Sequence, residues 1–438
     1  MNRTGPSVIN PAKSPPLYVP IGLMLSGLAS LLFLQWYLFV KAPMIFGEYR
    51  FNSATLAATH LFTLGFATSI MMGAFYQITP VMLIAQAVRG AWAIVQGLFF
   101  LTGVGLMIAG FHYGETHWIA WGGSFTVAAV CIFLVLIART MRTATAWTIS
   151  GTYMIAGLSF LAGTAFWGLT LAFNLRYNFL GSTLQTAPLS AHLVVGLGGW
   201  FMLTIFGVSY QLVPMFALTN RPDDQSPKRI LWLLTSGLWI AFGLLLFGVP
   251  ERYANAALLP VLAGVIWYGI RVGQLLRARR RPALDLGMRY ALVAFGFLAL
   301  SLLLGLIAAT GLAPGLKQTP GPTAIIWFGL FGFVGSMILG MMYKIIPFLF
   351  WHWLLKRRTD KTQRLPNLVQ MYSEKLAEAG FWCWTSGVLG TGLVLLAGAL
   401  GLLYQPALWA RWPILLVASG TLLFAWTIGE VLRARPLS

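Results

Sequence analysis

Gly73-Ala-Phe-Tyr76-Gln-Ile-Thr-Pro80, Gly207-Val-Ser-Tyr210-Gln-Leu-Val-Pro214 and Gly340-Met-Met-Tyr343-Lys-Ile-Ile-Pro347 are three copies of one pattern, Gly-x-x-Tyr-x-x-x-Pro. Their prolines lie 134 and 133 residues apart, and each copy closes a long apolar run. Even spacing of this kind marks an internal repeat. Each position has a physical role in a helix that crosses a bilayer. The glycine lets a neighbouring backbone come close. The tyrosine is expected at interface depth, with its hydroxyl toward headgroups or water. The proline is expected to end the helix where it leaves the membrane.

Outward from these segments, apolar runs lie near 17–40, 55–80, 90–111, 118–138, 148–172, 186–214, 230–249, 255–275, 289–311, 323–349, 380–402 and 408–432. A helix spans the hydrocarbon core with ~20 apolar residues. The sequence therefore predicts an all-α polytopic membrane protein, a single transmembrane domain over 1–438 with twelve helices. The repeat groups them into three quasi-equivalent four-helix units, 17–138, 148–275 and 289–432, expected around a pseudo-threefold axis. Helices 2, 6 and 10 then hold equivalent places. Repeats also occur in transporters, so symmetry alone assigns no function.

Composition agrees. Hydrophobic residues make up 58% of the 438 residues and charged ones only 9%, against roughly a quarter charged in soluble domains. The net charge of +19 would suggest nucleic acid in a soluble protein. Here it follows from the accumulation of Lys and Arg on the cytoplasmic side, and no nucleic-acid partner is expected. With the N-terminus inside, 23 of the 29 Lys and Arg fall on the inner side, among them Arg277, Arg279, Arg280, Arg281, Lys356, Arg357 and Arg358. Only Lys41, Arg50, Arg176, Arg252, Lys317 and Arg411 fall outside. Both termini are accordingly expected in the cytoplasm, in a bacterial-type inner membrane. The first apolar run is too long for a cleavable signal and reads as a retained helix. Cys131 and Cys383, both in apolar stretches, give no disulfide or metal-cluster signal.

Of five histidines, His60 and His192 lie inside repeat helices, 20 and 22 residues before Pro80 and Pro214. At ~1.5 Å per residue both stand about 30 Å from the inner interface, near the outer edge of the core. Imidazoles there can ligate heme iron or copper, or can be hydrogen-bonded across helices. The two-residue offset turns one side chain by ~200° relative to the other, so a shared metal is not implied.

His112, Glu115 and His117 form a second candidate, a divalent-metal site in the outer loop between helices 3 and 4, against the reading of a solvated loop. His352 is expected in the interfacial belt, and Lys344, the counterpart of Gln77 and Gln211, is expected to snorkel to the inner surface. Met71-Met72 and Met341-Met342 read as core packing, with soft copper ligation as the alternative. Glu430 is the one obvious acid near a span, which weighs against ion-coupled transport.

Ser190-Ala-His192-Leu-Val-Val-Gly196-Leu-Gly-Gly199-Trp200, followed by Gly207-x-x-Tyr210-x-x-x-Pro214, resembles a heme-binding helix of heme–copper oxidase subunit I. The resemblance is closest to the C-type oxidases and nitric oxide reductases. It covers the whole chain in architecture and the three repeat helices in motif. A second similar group is the heme- and copper-containing nitric-oxide-response membrane proteins (NnrS).

In the oxidase family the segment begins His-x-His. Aligned on the proline, His192 matches the ligand of the high-spin heme, and Val194 replaces the low-spin heme ligand. His60 stands where the helix 2 heme ligand would be. The resemblance thus implies heme or copper near the outer face, and respiratory or electron-transfer subunits as partners. The role it implies is respiratory redox or nitric oxide handling.

The departures are specific. The motif sits on helix 10 in the family and on helix 6 here. Helix 10 carries Ile325 and Trp327 at the ligand positions, and no histidine pair lies between Lys228 and Val249. Full oxygen reduction is not expected. The alternative is a non-redox transporter or an oxidase accessory protein on the same scaffold.

Overall fold

The computed structural model describes residues 16–48, 51–87, 90–180, 187–219, 225–280, 283–357 and 365–435. Arg50, Arg281, Arg358 and the polar segment before residue 16, used above for orientation and termini, lie outside them. Among the described residues, twelve helices are long and apolar enough to cross a membrane. They are α1 (Tyr18–Gly47), α2 (Ser53–Met82), α3 (Ala91–Tyr113), α4 (Thr116–Arg142), α5 (Ile149–Tyr177) and α6 (Ala187–Ala217). The second half comprises α7 (Ser226–Leu246), α8 (Arg252–Arg277), α9 (Leu286–Thr310), α10 (Gly321–Arg357), α11 (Glu374–Ala399) and α12 (Pro406–Arg433). Each overlaps one expected span. A polytopic helical protein of this kind sits in a lipid bilayer, because only closed backbone hydrogen bonding is tolerated there.

Helix ends follow from local chemistry. Asn52, Thr148, Asp285 and Ser373 accept from the backbone N–H three residues on, capping α2, α5, α9 and α11. Gly114 and Gly311 take the left-handed conformation that closes α3 and α9.

Helices α2, α6 and α10 are the most buried, with 78%, 67% and 78% of their apolar windows inside the protein. All three contain a central π-helical stretch, at Leu61–Thr68, Val194–Met202 and Phe328–Gly335. Each stretch ends five residues before a repeat glycine. Those glycines do what close packing requires: an added Cβ would stand 2.7 Å from the Pro20 carbonyl oxygen at Gly73. At Gly207 it would meet the Tyr153 Cβ at 2.3 Å, and at Gly340 the Tyr290 Cβ at 2.5 Å. Thus α2 packs on α1, α6 on α5 and α10 on α9.

Three expectations fail. Pro80 and Pro214 lie two and three residues before their helix ends, but α10 continues ten residues past Pro347, to Arg357. Neighbouring helices compensate a helix-internal proline in a membrane, so the residue alone does not mark the exit. Tyr76 and Tyr343 are buried instead of reaching headgroups. Tyr76 donates to Gln96 Oε1 at 3.1 Å, and the Tyr343 and Thr427 hydroxyls pair at 3.1 Å. A phenol whose hydroxyl finds a partner on the next helix has no need of the interface.

Lys344 does not snorkel. Its ammonium donates to Asp285 Oδ2 at 2.7 Å and lies 3.6 Å from the Phe216 ring centre, tying α10 to the start of α9 and to α6. Glu430 accepts from the Ser373 backbone N–H at 2.7 Å and from the Trp426 indole at 3.1 Å, fixing the entry to α11.

Candidate functional site

A cavity of about 630 Å³ opens among α1 to α6 and α10, toward the end of the bundle opposite the Arg-rich connections. Its wall carries threonines, aromatics and aliphatics, with no Asp, Glu, Lys or Arg among the lining residues. Four threonine hydroxyls on it bond back to their own helices: Thr59 to the Thr55 carbonyl, Thr63 to Thr59, Thr126 to Gly122 and Thr164 to Phe160. Helical back-bonding of this kind satisfies the hydroxyls. Asn174, Asn178 and the unpartnered Thr55 hydroxyl also line the wall, and the two imidazoles are its titratable groups.

His60 and His192 both line this cavity. Their ring centres are 6.4 Å apart with planes 24° from parallel. His60 sits at the α-to-π junction of α2, and its Nδ1 bonds the Leu56 carbonyl at 2.8 Å. A carbonyl only accepts, so Nδ1 carries the proton, and in the neutral ring Nε2 is left as the lone-pair nitrogen. Phe111 of α3 stacks on His60, with ring centres 5.0 Å apart.

His192 lies two residues before the π stretch of α6. Its Nδ1 is buried without a well-formed hydrogen bond, and the Thr164 backbone lies beside the ring. Gly168 of α5 makes room for the ring, because an added Cβ would stand 2.8 Å from His192 Cε1. On the third central helix, α10, Trp327 lines the cavity. Its indole donates to the Val388 carbonyl at 2.9 Å and stacks on Phe331 at 3.9 Å.

The two rings suit a metal ligand pair. Two metal–nitrogen bonds of about 2.1 Å each would fit within the 6.4 Å that separates the ring centres. The cavity also falls within the range of about 300–1,000 Å³ usual for small-molecule and cofactor sites. An orphaned buried imidazole nitrogen, a glycine cradle and a large adjoining cavity together fit a heme or a copper ion.

The outer-loop candidate is arranged differently. Glu115 Oε2 and His117 Nδ1 are 3.3 Å apart and both half-exposed. His112 turns instead to Tyr37, with its Nδ1 3.5 Å from the Tyr37 hydroxyl. No group of three His, Cys, Asp or Glu side chains that could hold a metal ion occurs among the described residues. Cys131 and Cys383 are free thiols, and His352 is half-buried near Phe348.

Sequence reasoning found the two histidines but missed Gly168, Thr164 and Phe111, which shape their surroundings. Nothing in the hydropathy of α3 or α5 marks the face turned to the cavity, and only the fold pairs residue 168 with residue 192. No family model matches the chain, and no curated protein matches it by sequence.

Proposed function

We propose that this chain is a heme–copper-oxidase-like membrane protein that binds heme or copper between His60 and His192 and serves respiratory redox or nitric oxide handling. The observation that carries the reading is the close imidazole pair, with the lone pair of His60 left on Nε2 and Nδ1 of His192 without a well-formed hydrogen bond, on the wall of a cavity of about 630 Å³. Heme or copper held there would supply one-electron redox chemistry. The protein's own part is orientation. The Leu56 carbonyl fixes the His60 tautomer, a role that ligand-supporting groups commonly play. Phe111 and the Gly168 cradle set the ring planes, and the apolar wall limits water.

In the same reading the twelve helices form three units around a pseudo-threefold axis, with α2, α6 and α10 innermost. Supporting this are the three π stretches at one register and the three glycines packed on α1, α5 and α9. The excess of Lys and Arg at one end supports cytoplasmic termini. With Trp327 in place of a third ligand helix, the site has too few imidazoles for a dinuclear oxygen-reducing centre. A second reading, an uncharged-substrate transporter or accessory protein, is favoured by the charge-free cavity wall.

Visible spectra of the purified protein, expressed with heme supplied and recorded before and after dithionite, test the proposal together with metal analysis. A Soret band or stoichiometric copper lost in both His60→Ala and His192→Ala is the expected result. Colourless, copper-free wild-type protein refutes it in favour of the second reading.

A further inference from the structure

A smaller cavity, about 80 Å³, lies among α2, α5, α6, α9 and α10 on the Arg-rich side of Trp200. Six of its twenty lining residues are methionines: Met71, Met154, Met288, Met337, Met341 and Met342. The whole chain has 16 methionines in 438 residues, so they are concentrated here well beyond chance. The polar lining side chains are Thr204 and Ser209. The Ser209 hydroxyl donates to the Phe206 carbonyl at 2.7 Å and pairs with the Tyr268 hydroxyl. Thr204 Oγ1 is buried without a hydrogen-bond partner. Buried water needs two to four polar partners. This space offers one free hydroxyl, too few to hold a water, so it is dry.

Thioethers around a dry space have two uses. They can ligate a soft monovalent cation, or they can give a polarizable lining to an uncharged guest. Charge decides between them. No carboxylate lines the cavity. Asp285, three residues before Met288, is paired at 2.7 Å with Lys344, three residues past Met341. That pair brings a positive charge as close as its negative one. A cation held here would be stripped of water with nothing to neutralise it, which is costly inside a membrane. An uncharged guest meets no such penalty.

We infer that the methionine-lined cavity is a binding site for a small, uncharged, polarizable molecule of two or three heavy atoms. Its size supports this. Dry apolar cavities of about 150 Å³ take up benzene or xenon, and one of about half that volume suits a guest of two or three heavy atoms. Its position adds a connection to the larger cavity. Phe75 lines the small cavity and packs on Trp200, with ring centres 5.6 Å apart. Trp200 lines the histidine cavity and is held by a 3.0 Å hydrogen bond from its indole to Thr68 Oγ1. One aromatic layer therefore separates the two spaces. The inference stands whether or not His60 and His192 hold a metal.

Xenon is the probe. Crystals of the full-length protein are pressurised with xenon and the anomalous scattering is mapped. The expected result is a xenon peak among Met71, Met337 and Met341. Its occupancy should fall to roughly a tenth or less in Ala74→Leu, which fills the space from a lining position. Met341→Leu, which keeps volume but removes sulfur, should retain the peak, and it tests the shape argument even if Ala74→Leu does not fold. Wild-type crystals with no xenon in this cavity, or with ordered water there, overturn the inference. So does stoichiometric Ag(I) binding lost in Met341→Leu, which would make the site a soft-cation site instead.

Discussion

Gly168→Ala isolates the geometry of the histidine pair without removing either ring. The added Cβ would stand 2.8 Å from His192 Cε1, 3.4 Å from Nδ1 and 3.6 Å from Nε2. Carbon atoms rest about 3.5–4.0 Å apart, so the imidazole must retreat by roughly 0.7 Å or α5 must shift outward. Overpacking of this kind typically costs about 1–3 kcal/mol. The displacement also exceeds the tolerance of about 0.5 Å within which a ligand set keeps its geometry. Residues that support a metal ligand commonly cost about 10–100-fold in affinity when changed, and cofactor retention should fall by that order.

The assay is a thermal melt of detergent-purified protein, followed by tryptophan fluorescence, together with heme and copper content per chain. Gly105→Ala is the control, since nothing lies within 4 Å of its Cβ position; it should melt like wild type. If Gly168→Ala also melts like wild type, the packing against His192 is wrong. Loss of stability with full cofactor content would instead keep the packing and sink the claim that His192 is a ligand.

Three further outcomes are expected. Gly207→Ala and Gly340→Ala should destabilise by about 1–3 kcal/mol, because their new Cβ atoms would meet the Cβ atoms of Tyr153 and Tyr290 at 2.3 and 2.5 Å, close to the backbone and unable to yield; unchanged melting would refute the close approach. Lys344→Met and Asp285→Asn should show a coupling in a double-substitution cycle, since they form the two halves of a largely buried ion pair; strictly additive losses would mean the pair is not coupled. In a cysteine-free background, Ala278→Cys should label from the cytoplasmic face and Leu312→Cys from the opposite face, and labelling of both from one side would overturn the orientation expected from charge.

The spans were legible because each is an apolar run broken by polar or Gly/Pro-containing segments, and hydropathy alone carries that information. The repeat glycines were legible too, since a small residue in a membrane helix implies a close neighbour. The partners were not. Tyr76 and Tyr343 could equally serve an interface or a buried bond, and only the fold supplies Gln96 and Thr427. The sequence separation of 59 between Asp285 and Lys344 hides their pairing in the same way. For the candidate site, depth along the helix was readable from residue counts. Facing was not: an offset that turns the side chains by ~200° gave no sign that the rings of His60 and His192 would meet at 6.4 Å.

One signal in the sequence went unread, and it bears on the three-unit proposal. Eight residues before each repeat glycine stands another: Gly65, Gly199 and Gly332. All three fall within the π stretches, and each faces the same neighbour as its partner glycine. A Cβ at Gly65 would meet Ser30 of α1 at 3.1 Å, at Gly199 Phe160 of α5 at 2.3 Å, and at Gly332 Phe297 of α9 at 2.6 Å. Eight residues of regular α-helix turn by ~800°, or about 80° past two full turns, so two such glycines on a regular helix would diverge from one line of contact. A π-helical stretch holds more residues per turn and brings the second glycine back toward that line. The π stretch is thus what lets one straight neighbour run along both small residues. Because both histidines sit at the mouths of these stretches, the widening that accommodates the neighbour also sets the direction in which His60 and His192 leave their helices.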